Sequence, residues 1–525
     1  MMDPFYLLGG CCVFGIVYKS VATLYVNYVH GKTARELGCK PLPKERTRFF
    51  GLDILRREMK ADREMYLPSD IMTRFEEVGA TTYEYQMLNE KHIATCDPLV
   101  IQTVLATQFK EFTFGNRPWG TVLGNGIFTI DNIGDNKEWL HTRAMLKPQF
   151  LRNQVSDLEL EEGHVRNFMS VLKVGDDGWT PKVNLQHMFF NFTHDSATEF
   201  LFGKSADCQL LFAPGGDPKG VSKPLRALLK ALDVVKETVN TKWFLGNNGW
   251  IADSPTFRKN CAYVNDFMDA LIAKTKAELE AKPKGSKPSG GREKYHFLHA
   301  MLDETDDKVE LRGQALNILL AGRETTASLL GWLWYYLARH PIEFQKLRAA
   351  VLKDFGTAEN PKPMSFESLK ACDQLQYCNN EILRLFPLIS YNSRMALTDT
   401  TLPRGGGPDG NSPIFVKKGQ QIVYHPHAMH RRKDIWGQDA DEFRPDRWKT
   451  LRPGWEYIPF NGGGRICMGQ QFALTEASYL TVRLLQRFDR IENLDPNPVL
   501  KQKVRIVNTP GEGVLVRLHE AAAGA

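Results

Sequence analysis

The chain has 525 residues, 42% of them hydrophobic and 24% charged, which is the composition of a globular protein. Its 67 Lys and Arg against 61 Asp and Glu leave a net charge of +6, too weak a bias to indicate nucleic-acid binding, and the sequence carries no nucleic-acid motif. Nine cysteines are scattered without the spacing of a zinc site or a disulfide framework, which favours a reducing compartment for most of the chain.

The first element is an apolar stretch at the N-terminus. Residues Pro4 to Val29 contain a single charge, Lys19. At about 1.5 Å per residue, a helix of this length can cross a hydrocarbon core of about 30 Å, although a buried core helix and a shallow interfacial helix are alternatives. Residues 30–48 carry six Lys or Arg against two Glu, which under the positive-inside rule puts the rest of the chain in the cytoplasm. We therefore predict a membrane anchor (1–30), a basic hinge with prolines (31–48) and one large domain (49–525).

Apolar periodicity then predicts a mostly helical body. Alternation over Tyr83–Thr95 indicates a strand, and Asp97-Pro98 opens an amphipathic helix. Further helices are predicted over Leu185–Phe202, Lys223–Val239, Thr256–Glu280 and Leu311–Ala338, with a solvated Pro/Gly/Lys linker over residues 281–294. Short strands are predicted between residues 388 and 424 and near the C-terminus. The predicted fold class is mainly α with small β-sheets.

The segment FNGGGRICMG, Phe460 to Gly469, places one cysteine in a loop made mostly of glycine. Three consecutive glycines allow the backbone to approach a large flat group closely. The residues after Cys467 predict a long helix, whose N-terminal amides and dipole would favour a thiolate, and Arg465 adds a cation. One thiolate without further protein ligands nearby suits a metal held by a macrocycle, as in haem iron with an axial cysteine.

This loop resembles the haem-binding loop of the cytochromes P-450, the haem-thiolate monooxygenases. Their pattern F-x-x-G-x-R-x-C-x-G is matched by Phe460, Gly463, Arg465, Cys467 and Gly469. The resemblance implies haem b as the cofactor and Cys467 as the axial ligand of its iron. It also implies the cytochrome P-450 fold, in which a long central helix crosses the haem opposite the cysteine loop.

A second segment, AGRETT, resembles the oxygen-binding part of the family's central helix. Small Ala321 and Gly322 would leave room for the haem face. Glu324 and Thr325 would supply an acid for proton delivery and an alcohol for dioxygen, since buried polar groups in an apolar helix need a reason. Taken alone, the segment is equally consistent with a bent helix and a satisfied threonine.

The motif EILR, Glu381 to Arg384, is a common helical salt bridge that means little alone. In the family this pair binds an arginine from an FxPxRW segment, here FRPDRW with Arg447, and the resulting triad supports the cysteine loop. Its implied role is structural.

Two further positions resemble the family's contacts with the haem propionates. The segment WLHTR matches the family's W-x-x-x-R and puts Trp139 and Arg143 on one helix face. The resemblance implies that these two residues, and Arg394 after the EILR helix, contact the propionates as Arg–carboxylate pairs do.

The Gly/Pro-rich turn from Leu402 to Gly419, with AGRETTA and ICMGQQFALTEASYL, resembles a fungal subgroup that hydroxylates alkanes and fatty acids at or near the chain end. The pocket segments expected by position are mostly apolar, which suits an alkyl chain and many other lipophiles. They are Arg117–Phe128, Asn317–Ala321, Leu388–Asn392 and Ile506–Thr509.

The resemblance also implies partners and a location. Electrons are expected from an NADPH-cytochrome P-450 reductase, with Lys433, Lys449 and Arg452 as candidate docking residues. The expected location is the endoplasmic reticulum membrane, crossed once, with the catalytic domain facing the cytoplasm.

A haem-thiolate enzyme that acts on another lipophile, a secondary metabolite or a xenobiotic, is an alternative function. Two further functions also remain open from sequence. One is a haem-thiolate relative that rearranges peroxides without dioxygen or a reductase, against which the Glu324–Thr325 pair argues. The other is a non-catalytic haem sensor or electron carrier, for which a large body with a lipophilic pocket is excessive.

Overall fold

The computed structural model describes residues 4–114, 119–131, 137–150, 158–211, 223–281 and 297–522. Arg117 and all but the first residue of the predicted linker at 281–294 lie outside these ranges. The helices are α1 (Pro4–Glu36), α2 (Leu52–Arg63), α3 (Leu67–Val78), α4 (Pro98–Gln102), α5 (Gly120–Leu123), α6 (Lys137–Leu146), α7 (Leu158–Val171), α8 (Leu185–Phe202), α9 (Cys208–Leu211), α10 (Lys223–Leu245), α11 (Pro255–Glu280), α12 (Phe297–Glu304), α13 (Lys308–Leu337), α14 (Pro341–Phe355), α15 (Phe366–Ala371), α16 (Asp373–Leu385), α17 (Pro426–Met429), α18 (Lys433–Trp436) and α19 (Gln470–Arg487).

The strands are short and form four small sheets in the described part of the chain. They are β1 (Thr82–Met87), β2 (Glu90–Thr95), β3 (Phe112–Thr113), β4 (Val183–Asn184), β5 (Asn392–Ala396), β6 (Thr400–Gly406), β7 (Ser412–Val416), β8 (Gln421–Tyr424), β9 (Phe488–Asn493), β10 (Gln502–Val504), β11 (Asn508–Pro510) and β12 (Leu515–Glu520). The largest sheet has the order β1-β2-β8-β5-β3, in which only the β2–β8 pair is parallel. The predicted fold class, mainly α with small sheets, is confirmed.

The N-terminal helix α1 runs past the predicted boundary at residue 30 and ends at Glu36. Across the part of the chain that the structure describes, no helix is both long enough and apolar enough to cross a membrane, so the predicted transmembrane span at Pro4–Val29 does not meet that requirement. Polar residues inside the helix, among them Lys19 and Asn27, reduce its apolar character. Near its end α1 touches the body, where Lys417 Nζ donates to Asn27 Oδ1 at 2.9 Å.

The segment after α1 is held by backbone hydrogen bonds. The N–H of Lys40 donates to Pro413 O at 2.8 Å, and the N–H of Gly407 donates to Pro41 O at 3.0 Å. The predicted hinge therefore runs along the β6–β7 hairpin. It is part of the body at these positions.

The predicted helices lie close to their expected limits. Helix α8 has the predicted bounds, whereas α10 continues six residues beyond Val239, to Leu245. Helix α13 begins at Lys308, three residues early, because the Asp307 side chain accepts hydrogen bonds from the N–H groups of Val309 and Glu310. The predicted strand at Tyr83–Thr95 is the hairpin β1–β2.

Helix α13 crosses the centre of the molecule and packs against α8, α16 and α19. Trp332 of α13 stacks on Phe386 with ring centroids 3.9 Å apart. Gln186 of α8 reaches in and donates to Ala327 O at 2.9 Å. A Cβ at Gly331 would lie 1.8 Å from Gln186 Oε1, so a larger residue there would displace the Gln186 side chain. This contact fixes α13 beside the cavity described next.

Candidate active site

The cysteine loop is closed by a backbone hydrogen bond, since the N–H of Cys467 donates to Phe460 O at 3.0 Å. Asn461 has a left-handed φ of 63°, and its Nδ2 donates to Arg465 O at 3.3 Å. Helix α19 begins at Gln470, three residues after Cys467, as the sequence predicts. The sulfur therefore lies at the N-terminal end of a long helix.

The glycines of this loop face protein. Gly463 has φ +64°, and a Cβ there would lie 1.8 Å from Leu105 O, in a π-helical turn at Thr103–Thr107. Added Cβ atoms at Gly462 and Gly464 would lie 2.5 and 3.0 Å from the rings of Trp455 and Phe109. Close packing against this chain's own backbone and aromatic rings is therefore one reason why these positions hold glycine.

The thiol of Cys467 opens into a cavity and is otherwise surrounded by protein. Burial raises the pKa of this thiol, while the N–H of Gly469 and the positive charge of Arg143 lower it. Desolvation is the largest of the three effects on this pKa. A bound metal would supply the missing stabilisation, since a coordinating thiol is deprotonated outright.

The cavity has a volume of about 440 Å³ and brings most of the candidate residues together. The cysteine loop contributes Phe460, Arg465, Cys467 and Gly469 to its wall. Helix α13 contributes Ala321, Gly322 and Thr325, and α6 contributes Trp139 and Arg143. Gly463 and Glu324 do not line this cavity, and Arg394 lies just behind the wall, next to Ser393.

Arginines and aromatic rings are interleaved beside the cysteine loop. The guanidinium carbon of Arg465 lies 4.6 Å from the ring centroid of Phe114 and 4.8 Å from that of Trp139. Arg394 covers Phe114 from 4.3 Å. Arg143 Nη1 donates to the carbonyl of Ile466, next to the cysteine, at 3.3 Å. The cations therefore rim one side of the cavity.

Arg394 is the residue in this group that indicates an anionic ligand. Its side chain is 1% exposed, and Nη1 donates to Ser393 O at 2.6 Å. Its Nε and Nη2 have no hydrogen-bond partner among the residues that the structure describes. Buried donors without an acceptor are costly, and a carboxylate is the acceptor that pairs best with a guanidinium.

The acid and the alcohol of α13, Glu324 and Thr325, contact different groups. Thr325 lines the cavity, and its hydroxyl donates to Ala321 O at 2.7 Å. Glu324 is buried and its Oε1 accepts from Lys236 Nζ at 3.2 Å and from Arg323 Nη1 at 3.0 Å. The sequence does not predict the two cations that hold this acid.

The predicted triad is formed and fully buried. Glu381 accepts from Arg384 Nε and Nη2, both at 2.9 Å, and from Arg447 Nε at 2.8 Å. The indole N–H of Trp448 and the backbone N–H of Arg444 also donate hydrogen bonds to the Glu381 carboxylate, at 3.0 Å each. Arg384 also donates to backbone carbonyls at His430 and Ala440. Three of these five donors come from residues 444–448 and tie α16 to the chain that leads to the cysteine loop.

Each predicted pocket segment contributes to the cavity wall, Leu388–Asn392 with all its residues and the other three with only some of theirs. Asn317 lies outside the wall and donates to Leu123 O and Gly313 O, while Asn508 O accepts from Ser328 and Trp332. The larger omission is the wall from α8 and α10, which includes Ala197, Phe200, Lys236, Asn240 and Trp243. A lysine on the apolar face of α10 is the signal in the sequence that would have indicated it.

An open thiol under an arginine-rimmed cavity is the kind of site that haem-thiolate proteins have. A family model described as Cytochrome P-450 matches residues 58–516. The chain therefore belongs to the cytochrome P-450 family, and it is a haem-dependent monooxygenase.

Relatives are similar along nearly the whole chain. A cytochrome P-450 monooxygenase from Fusarium sp, g430, is 47% identical over 96% of this chain and 88% of its own length. The Alternaria solani monooxygenase alt2 is 39% identical over 88% of each chain. Cytochrome P-450 52E1 of Candida apicola is 39% identical over 98% of this chain and 99% of its own.

The residues present fit haem. Cys467 offers one thiol at the cavity wall, and the unpartnered donors of Arg394 suit a propionate carboxylate. At Gly322 an added Cβ would only touch Ala197, at 3.6 Å, so helix packing does not require glycine there. Room on the cavity side of α13 is a better reason for this residue.

Proposed function

We propose that this monooxygenase hydroxylates long-chain alkanes or fatty acids at or near the terminal carbon. The observation that carries the proposal is the apolar cavity over the cysteine loop. In the described part of its wall, the charged side chains other than Arg143 and Arg465 are Lys236 and Arg505. Both are already neutralised, because Lys236 pairs with Glu324 and Arg505 pairs with Asp62 at 2.9 Å. Such a wall suits an alkyl chain.

Arg505 offers a way to tell the two substrate classes apart. It pairs with both Asp62 and Glu237, and Asn240 Nδ2 donates to the same Asp62 at 3.2 Å. A fatty-acid carboxylate can exchange with these partners, whereas an alkane gains nothing from them. Arg505→Met should therefore raise the KM for fatty acids and leave the KM for alkanes unchanged.

Each site residue has a proposed role. Cys467 would bind the haem iron through its sulfur, and Trp139, Arg143, Arg465 and Arg394 would hold the haem, with Arg394 supplying donors for a carboxylate. When bound, haem supplies the activation of dioxygen and the oxidation of a C–H bond, with the thiolate favouring O–O cleavage.

The acid–alcohol pair handles protons in this proposal. Thr325 offers its hydroxyl to dioxygen inside the cavity, and Glu324 passes protons toward it. Because Lys236 belongs to α10, which lines the cavity, movement of that helix on substrate binding would free Glu324 for this task. Glu381, Arg384 and Arg447 keep the cysteine loop in place.

Electrons are proposed to come from an NADPH-cytochrome P-450 reductase that docks on the cysteine side. The candidate docking residues Lys433, Lys449 and Arg452 are exposed. Lys449 is paired with Asp446 at 3.1 Å, and Arg452 donates to backbone carbonyls, so Lys433 is the stronger candidate. Lys433→Glu should slow reduction by the reductase more than Lys449→Glu does.

We also propose that residues 49–525 form the catalytic domain and that α1 attaches it to the endoplasmic reticulum membrane, with the domain in the cytoplasm. The support is a row of exposed apolar side chains on α1, namely Phe14, Val17, Tyr18, Val21, Leu24 and Tyr25. Deleting residues 1–36 should release the protein from membranes with its haem spectrum intact. If the shortened protein stays in the membrane pellet, another surface carries the attachment.

The deciding experiment is product analysis by mass spectrometry. The full-length protein, reductase and NADPH are offered a matched series of alkanes, fatty acids and ring-containing lipophiles. Terminal or near-terminal alcohols from the chains support the proposal, and turnover confined to ring compounds overturns it. Conversion of a lipid hydroperoxide without NADPH would instead indicate a peroxide-rearranging enzyme.

A further inference from the structure

A second, smaller cavity lies beside the active-site cavity and has no part in the roles above. Its volume is about 40 Å³, a space the size of roughly three water molecules. Helices α2, α3 and α10 and strands β1, β2 and β8 contribute to its wall. The side chains with hydrogen-bonding groups in this wall are Glu58, Tyr85, His92, Trp243, Tyr391, Gln421 and His425. So many polar side chains around so small a space favour a hydrogen-bonding group over an alkyl chain.

Two aromatic rings separate the second cavity from the active site. Trp243 of α10 and Tyr391, just before β5, line both cavities. Their ring centroids lie 5.8 Å apart, and the ring planes are inclined by 43°. Both residues are half-buried, so either ring can turn without opening the close-packed core. The pair is therefore a partition that the end of a flexible chain can pass.

His92 is the side chain that indicates a ligand in the second cavity. It is 4% exposed, and its Nδ1 has no hydrogen-bond partner in the described part of the chain. Burial lowers the pKa of His92 to about 4 and that of His425 to about 3, so both rings are neutral near pH 7. A neutral ring has one nitrogen that donates and one that accepts, and a hydroxyl can pair with either. Because an unpaired buried nitrogen is costly, a hydroxyl bound here would be stabilised.

The charges beside the second cavity are already paired, which disfavours a charged ligand. Glu58 accepts a hydrogen bond from Arg74, and Arg74 also pairs with Glu45 at 2.6 Å. The described wall contains no Lys or Arg, so a carboxylate there would face Glu58 without a cation of its own. An ammonium group could pair with Glu58 only at the expense of the Glu58–Arg74 pair. A neutral hydroxyl meets neither obstacle.

We infer that the second cavity binds the hydroxyl end of a long-chain primary alcohol whose other end lies in the active-site cavity. The inference rests on the proposed oxidation of alkyl chains and adds a substrate class to it. The hydroxyl passes the Trp243–Tyr391 pair and bonds to His92 Nδ1, while the methyl end lies near Thr325. Oxygen insertion into a C–H bond at that end gives a diol. One atom of dioxygen enters the product and the other leaves as water, with two protons and the two electrons of NADPH. An earlier reaction that hydroxylates an alkane or reduces a fatty acid must supply the alcohol.

The separation of the two cavities sets a minimum chain length. Lys236, which contacts Glu324 next to Thr325, precedes Trp243 by about two turns of α10, or about 10 Å. An extended chain with single bonds of about 1.5 Å advances roughly 1.3 Å per carbon, so about eight carbons span this distance. Hexanol is therefore too short to occupy both cavities at once, whereas dodecanol is long enough.

The test measures the substrate-induced spectral shift of the full-length holoenzyme with dodecanol, dodecane and hexanol. Each ligand is compared between the parent and His92→Phe, so that its solubility in water cancels. The variant lacks the ring nitrogens and should bind dodecanol about fivefold more weakly, as expected for the loss of one buried hydrogen bond. Dodecane and hexanol should bind to both proteins equally. An unchanged affinity for dodecanol overturns the inference, and so does an equal loss for dodecanol and dodecane.

Two further variants separate the second cavity from general packing. His427→Leu removes another buried histidine with an unpartnered Nδ1, outside the described walls of both cavities, and should leave all three affinities unchanged. A fivefold loss of dodecanol binding in this control would overturn the inference. If His92→Phe does not fold, His425→Leu takes its place. A selective loss of dodecanol binding in that variant supports the inference, and an unchanged affinity overturns it.

Product analysis distinguishes a failure of this inference from a failure of the proposed function. With reductase and NADPH, the parent should convert dodecanol mainly to the diol with hydroxyls at or near both ends. His92→Phe should spread oxidation over more carbons, because the hydroxyl end is no longer held. If no alkyl chain is oxidised, the proposed function fails. Calorimetric binding of dodecanol to the parent and to His92→Phe then still decides whether the second cavity holds a hydroxyl.

Discussion

At the scale of single residues, the charge of Cys467 depends on whether haem iron is bound to its sulfur. Burial keeps its thiol protonated more firmly than a free cysteine, despite the nearby Arg143 and the Gly469 N–H. Because a metal ligand must be the thiolate, haem binding at neutral pH releases a proton here. The affinity for haem should accordingly weaken as the pH falls.

Replacing Cys467 tests its assignment directly. Cys467→Ser should abolish the carbon-monoxide difference band of the reduced protein and all NADPH-driven product, because an alcohol is a poor iron ligand. Absorbance spectroscopy and product analysis measure the two effects. Cys261→Ala, at a buried cysteine outside the cavity wall, is the matched control and should keep the band. A normal band in Cys467→Ser would refute the assignment.

Thr325 should matter for coupling and not for binding. Thr325→Val keeps the shape, and the lost hydrogen bond to Ala321 O lies within one helix, so haem and substrate should still bind. Without the hydroxyl, proton delivery to dioxygen fails more often, and hydrogen peroxide should replace about nine-tenths of the product at similar NADPH consumption. The measurements are product and peroxide per NADPH. Thr325→Ser should behave like the parent, and a valine variant that does so as well would make Thr325 structural.

The sequence predicts which residues approach the cavity better than it predicts their partners. Cys467, Thr325, Trp139 and Arg465 were found from local patterns, and all line the cavity. The pairing of Glu324 with Lys236 joins residues 88 positions apart, and no local pattern encodes such a contact. Tertiary packing alone brings α10 over α13.

At the scale of elements, the helices were predicted well because their periodicity and caps are local. The cap at Asp307 shows the limit of this prediction, since a side chain four residues before the predicted start extended α13. For the sheets, the sequence predicted which regions contain strands, but not the bounds of each strand or its pairing partner. Strand β8 pairs in parallel with β2, which lies hundreds of residues earlier in the chain. It pairs antiparallel with β5, which lies tens of residues earlier.

Among these elements, the junction of α16 with residues 444–448 should lose the most unfolding free energy when one of its side chains is substituted. Glu381→Gln keeps the size of the side chain but leaves Arg384 and Arg447 buried without their counter-charge. Breaking such a buried pair costs about 3–5 kcal/mol of unfolding free energy. Denaturant unfolding of the holoprotein measures the cost. The exposed helical pair Lys32–Glu36 is the control, and Glu36→Gln should cost less than about 0.5 kcal/mol; an equal effect would contradict the prediction.

At the scale of the whole molecule, buried histidines set the response to acid. Burial lowers the pKa of His194 and of His430 to about 3 and that of His92 to about 4, from 6.5. These rings are neutral in the folded protein, whereas the unfolded chain binds protons below pH 6.5. The folded state therefore loses stability as the pH falls from 6.5 toward 4, by up to about 1.4 kcal/mol per pH unit for each ring.

His194 tests this directly, because neither of its nitrogens has a partner in the described structure. His194→Leu should reduce the drop in Tm between pH 7 and pH 4.5, as measured by thermal unfolding. His187 is exposed on the same helix, and His187→Gln should leave the drop unchanged. A drop of the parent's size in His194→Leu would mean that other groups control acid unfolding.

The buried Glu381 carboxylate also constrains the order of events during synthesis. Its five donors come from α16 and from a segment more than 60 residues further along, so none of the later ones exists when α16 leaves the ribosome. Until residue 448 has emerged, this charge cannot be buried without a large penalty. The packing around α16 is therefore completed only after the segment at residues 444–448 has been synthesised, and until then α16 stays partly exposed to solvent. A ribosome stalled before that point should carry a chain that proteases still cut near α16 and that chaperones still bind.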